Sequence, residues 1–203
     1  MGLPDGGAGL SPGLAAWAGL AVGFALMAAG IPLSSLALFG LLAGLASESH
    51  VPWWWAGGLA GVATALGHAA SYVLFARLGP PFLEAVARGI PGLALLVSRL
   101  EPILARRQPR LSLLLLRWIG LGYTQLFWIL AATGTGRPAL LALLLLDDLA
   151  WALAWAYGTI ALLIAAPEIG RWLSTGALVL LVLSLAAGSW RLVRLRRGGA
   201  GPG

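Results

Sequence analysis

Several apolar runs in this 203-residue chain are long enough to cross a bilayer, and that restricts its fold more than any other feature. Six apolar segments can be read, at 14–30, 31–46, 52–76, 111–133, 138–166 and 171–195. Roughly 20 apolar residues span the hydrocarbon core as a helix. No water reaches backbone groups there, so a spanning segment must be a helix or part of a closed barrel. With 60% hydrophobic and 10% charged residues, the chain is expected to be an all-α polytopic integral membrane protein. A single membrane domain, 14–195, is expected between a flexible N-terminus, 1–13, and a basic Gly-rich tail, 196–203, expected to be disordered. The first residues lack the positive region of a cleavable signal, so the run after them is read as a helix.

Residue types that are missing exclude whole chemistries. Without cysteine there is no disulfide, thiolate metal site or catalytic thiol, and without lysine no Schiff base. Two histidines and no clustered acidic motif argue against a metal, a cofactor or an intramembrane lipid enzyme. The formal charge of +6 comes from arginines flanking apolar segments, which implies anionic lipid rather than nucleic acid as partner.

Against this apolar background Arg117 stands out, alone inside LSLLLLRWIGLGYTQLFWILAAT. The next segment carries Asp147 and Asp148 in LLALLLLDDLAWALAWAYG. Even lenient scales put Arg or Asp at mid-bilayer at about 2.5–3.5 kcal/mol, so such residues face a partner, a cavity or a ligand. Two readings of this charge set stand side by side. It is a binding site whose charge balance changes when a ligand arrives, or a permanent Arg–Asp pair locking two segments together. His68, inside segment 52–76, is either a proton-responsive group or a histidine bonded to a neighbouring carbonyl or hydroxyl.

Topology follows from the arginines. The connector 80–110 holds Leu93, Leu96, Val97, Leu100, Ile103 and Leu104 at helical spacing, with Arg99 and Arg106 on another face. It reads as an amphipathic helix on the membrane surface or as a short packed helix between spans. By the positive-inside rule both this connector and the C-terminal run Arg191, Arg194, Arg196 and Arg197 are cytoplasmic. Two full spans plus one re-entrant segment satisfy that parity. Segment 111–133 is the re-entrant candidate, because Gly120 and Gly122 interrupt it and TGTGRP ends it. The first half, 14–79, has the same plan as the second, 111–195. There a short segment opening with Pro32, Ser34 and Ser35 precedes a long one. Paired broken segments imply a pseudo-inverted repeat with a site at the midplane. Trp53, Trp54 and Trp55 fit an outer aromatic belt, and Gly57–Gly61 and Gly40–Gly44 fit small-residue helix packing.

These residues carry a resemblance. Ile31-Pro32-Leu33-Ser34-Ser35 with Gly44, Gly67-His68 with Tyr72, Arg77 and Gly79, and Arg117-Trp118 fall in the order seen in one family. Gly134, Asp147-Asp148, Trp151 and Tyr157-Gly158 continue that order. Over residues 30–166 the chain resembles the DedA family, also called the VTT or SNARE-associated Golgi protein family. The resemblance implies a multi-pass protein of the bacterial cytoplasmic membrane that moves undecaprenyl phosphate or a phospholipid across it. It further implies that Arg117 and Arg77 hold the lipid phosphate and that no catalytic residue is present. Where the family has acids beside its Pro-Ser turn and after its glycine, this chain has none and His68. Gly120 replaces a proline and Tyr123 an arginine. The resemblance therefore speaks for lipid handling more directly than for proton coupling. A non-transporting membrane scaffold or assembly factor is the alternative, and homo-oligomerisation is left open.

Overall fold

The computed structural model describes residues 12–89, 110–118 and 122–166, together with the isolated positions 95, 98, 175, 176, 179, 182, 183 and 186. Gly120, most of connector residues 90–109 with Arg99 and Arg106, and most of segment 171–195 lie outside the described residues, as do both chain ends. Among the described residues there is no strand. Six helices follow in order: α1 (Pro12–Ala29), α2 (Ser35–Glu48), α3 (Trp53–Gly89), α4 (Arg110–Trp118), α5 (Tyr123–Ala132) and α6 (Pro138–Ala165).

Local chemistry explains the breaks. α1 ends in a glycine cap: Gly30, at φ 107°, donates to the Met27 carbonyl and Ile31 to that of Leu26. Ser34 then caps α2 by accepting from the Ala37 N–H, so Pro32 lies in the turn and Ser35 is the first helical residue. α3 kinks where Gly79, at φ 70° and ψ −170°, precedes Pro80 and Pro81. Segment 111–133 is two helices, α4 and α5, parted at Gly122, whose φ of 68° is left-handed. Pro138 opens α6, where a missing N–H costs nothing.

Among the described residues, only α3 and α6 are long and apolar enough to cross a membrane. At 1.5 Å per residue, the 28 residues of α6 span about 42 Å, whereas the 9 and 10 of α4 and α5 span about 14 and 15 Å. The long helices are inside-out for water. Leu66 and Leu146 are each 63% exposed and Ile164 75%, while His68 and Asp148 are fully buried. This arrangement is compatible with an α-helical membrane protein.

α3 is the central strut, in contact with α1, α5 and α6. It runs antiparallel to α6, and glycines let the two approach closely. A methyl group added at Gly61 would sit 2.9 Å from the Leu149 Cα, and one at Gly57 would sit 3.0 Å from the Leu153 Cα. Of the second small-residue pair, Gly40 is buried but a methyl group at Gly44 would meet open space. α1 lies parallel to α3, with Trp17 against Trp55 (5.1 Å) and Ala25 and Ala28 against Gly67, and α2 returns along it through Phe24–Phe39 (4.9 Å). α5 starts beside His68 and ends beyond the Phe75–Trp128 stack (4.8 Å), towards the end of α3 where α6 begins. The residues after the Gly79 kink fold onto α5, with Leu83 buried in the same apolar cluster as Trp128. The start of the connector is thus a packed helix.

A buried charge cluster as candidate functional site

Two apolar cores flank the middle of α3. One gathers Phe24, Phe39, Leu42 and Trp151. The other gathers Leu113, Tyr123, Leu126, Phe127 and Leu144. Between them lie the charges singled out in the sequence. Asp148 is the hub: its Oδ2 accepts from the His68 Nδ1–H at 2.8 Å, and its Oδ1 lies 3.2 Å from an Arg117 Nη2. His68 and Asp148 are wholly buried and Arg117 is 8% exposed. The arginine contact is electrostatic rather than a formed hydrogen bond: Nε and Nη2 of Arg117 and Oδ1 of Asp148 have no hydrogen-bond partner.

Each side chain arrives for a local reason. Arg117 is in the last turn of α4, where a cation suits the partial negative charge of the helix end. Its guanidinium carbon stands 3.7 Å above the Trp151 ring and 4.9 Å from that of Tyr123, a desolvated cation–π seat. Tyr123 is fixed by donating to the Leu144 carbonyl at 2.7 Å. His68 stacks on Phe127 at 4.5 Å, nearly parallel, which sets its ring plane. Its Nε2 lies 3.2 Å from the Thr124 hydroxyl. As a neutral imidazole it accepts there, and as an imidazolium it donates, so both protonation states keep both contacts. Asp147 turns away from the hub and accepts from the Trp118 indole N–H at 3.3 Å, leaving its Oδ2 buried without a partner.

Four of the sequence candidates therefore converge: Arg117, Asp148, His68 and, through Trp118, Asp147. Arg77 does not join them. It is exposed on α3 nine residues beyond His68, about 13.5 Å along the helix axis. Pro32, Ser34 and Ser35 shape the α1–α2 turn and Gly122 the α4–α5 break, and none of them bonds to the cluster. Sequence reasoning weighed His68 against a carbonyl or hydroxyl partner, and the hydroxyl of Thr124 is there alongside the carboxylate. Trp151, Phe127 and Thr124 were not anticipated as site residues. A signal existed for Trp151, which is three and four residues beyond the aspartates on α6 and so on their face. None existed for Thr124.

Chemically, the cluster sets two carboxylates against one permanent cation and one titratable ring. α5 begins beside it with no side-chain cap on its first N–H groups. Among the described residues no group of three metal-ligating side chains forms. Compared with known proteins, the chain matches no family model, no curated protein and no solved structure.

Proposed function

We propose that this chain is a DedA-like transporter that flips or scrambles a phosphate-bearing lipid, undecaprenyl phosphate or a phospholipid, across the bacterial cytoplasmic membrane. One observation carries this reading. Arg117 is buried with two guanidinium nitrogens unbonded, beside a carboxylate it touches without hydrogen-bond alignment. A buried donor without an acceptor costs about 1–3 kcal/mol, more for a charged group, and a phosphate oxygen would remove that cost. The uncapped start of α5 offers backbone N–H groups to the same anion.

Depth supports a midplane site. The α1–α2 turn reaches Trp128 through Gly30, while α1 packs on Gly67. The α4–α5 break reaches Asp148 and His68. The α4–α5 pair turns near His68 and the α1–α2 pair near Trp128, which stacks on Phe75, and each helix pair starts and returns at its own end of α3. Two re-entrant segments in a pseudo-inverted repeat are the simplest topology with this property, given a connector that is cytoplasmic. Charge balance assigns His68 its part. With His68 neutral the cluster carries one excess negative charge, so an incoming phosphate calls for a proton on His68 or on a carboxylate.

Reconstituted in liposomes with a fluorescent phosphate lipid, the wild-type protein is expected to move lipid between leaflets. Arg117→Ala, checked for folding by size exclusion, is expected to lose most of that rate. Folded Arg117→Ala that translocates at the wild-type rate would sink the role given to this residue. It would favour the alternative, a scaffold in which the Arg117–Asp148 pair only locks α4 to α6.

A further inference from the structure

A groove of about 380 Å³ runs between α2 and α6, walled by Leu36, Gly40, Trp118, Trp155, Gly158 and Leu162. We infer that it holds one hydrocarbon chain of the lipid whose phosphate Arg117 binds. This rests on the function proposed above and adds where the tail lies.

Three observations point to that occupant. First, Trp118 joins the groove to the charge cluster: it lines the groove, follows Arg117 in the chain and donates to Asp147. An occupant reaching both places needs an anion at one end and hydrocarbon along the rest. Second, the lining offers little else. The Thr159 hydroxyl already donates to the Trp155 carbonyl at 2.7 Å, which leaves the indole N–H of Trp155 as the other polar side-chain group beside Trp118. Third, the groove is open to the surroundings of the helices rather than sealed. Leu36, Trp118, Trp155 and Leu162 are all more than 40% exposed, so the groove opens sideways where lipid would surround the helices. Gly158 forms part of its wall, and a Cβ there would meet nothing within 4 Å.

Photolabelling in proteoliposomes tests this with three probes: a phosphate monoester lipid with a diazirine beside the phosphate, the same lipid with the diazirine in mid-chain, and the mid-chain probe as a neutral alcohol. The head probe is expected to label the α4–α5 break near Trp118, and the chain probe Leu36 and Leu162. The neutral lipid is expected to label those walls about tenfold less, as a differential head-group contact of about 1.4 kcal/mol would produce. Gly158→Phe or Gly158→Leu should abolish wall labelling by the chain probe and leave head labelling intact. Head labelling without wall labelling overturns the groove while the Arg117 reading stands. Equal wall labelling by the neutral lipid also overturns it, making the groove a contact for bulk lipid. Head labelling that is absent, or unchanged in Arg117→Ala, overturns the Arg117 reading and this inference with it.

Discussion

At Asp148 a single carboxylate serves two cations or near-cations from different helices, which makes it the most exacting position in the molecule. Asp148→Asn takes away the carboxylate in contact with Arg117, leaving it only the more distant Asp147, and weakens the bond from His68. Removing one partner of a buried pair costs about 3–5 kcal/mol. Asp147→Asn weakens one bond from the Trp118 indole, worth about 0.5–1.5 kcal/mol, and removes an excess negative charge. Unfolding in detergent should therefore rank Asp148→Asn well below Asp147→Asn, and equal losses would refute the hub assignment. The sequence marks both aspartates and Arg117 as costly, because charge in an apolar run is conspicuous. It does not say which aspartate meets the arginine. Adjacent side chains on a helix point about 100° apart, so the choice depends on how α6 is rotated against α3. That rotation is set by contacts such as Gly61 on Leu149, far away in sequence.

Among the helices, α3 and α6 owe their close approach to absent side chains. Gly61→Ala would push a methyl group against the Leu149 backbone, which has no rotamer to yield, and overpacking of this kind costs about 1–3 kcal/mol. Gly58, next to Gly57 and turned about 100° from it around the helix, has open space, so Gly58→Ala should be neutral or stabilising by up to about 1 kcal/mol through helix propensity. Thermal denaturation of the pair in detergent measures the difference, and a Gly61→Ala protein as stable as Gly58→Ala would show that the helices are not held this closely. Helix boundaries were legible wherever backbone chemistry is local: Pro80 after Gly79, Ser34 before α2, Pro138 before α6. The packing of Leu83 against Trp128 was not, because the connector reads equally as a surface helix or a packed one and only the backbone turn at Gly79 folds residues 82–87 inward.

On the scale of the whole molecule, the α2–α3 and α5–α6 connections lie at opposite ends of α3. On the membrane course proposed above they would face opposite compartments. The chain has no cysteine, so Ser49→Cys and Thr135→Cys can each be labelled alone. A membrane-impermeant maleimide added to intact cells should modify Ser49→Cys and spare Thr135→Cys. Modification of Thr135→Cys from outside would contradict the re-entrant course proposed for α4 and α5. The bond between His68 and Asp148 has a further consequence, for biosynthesis. The two residues are separated by 80 positions, so at roughly 5–20 residues per second a ribosome finishes His68 about 4–16 s before its carboxylate exists. On the membrane course proposed above, α3 would enter the bilayer before the carboxylate for its imidazole is made, and Arg117 would follow before Asp148. The exposure of these groups would then fall to the insertion step rather than to the finished fold until α6 arrives.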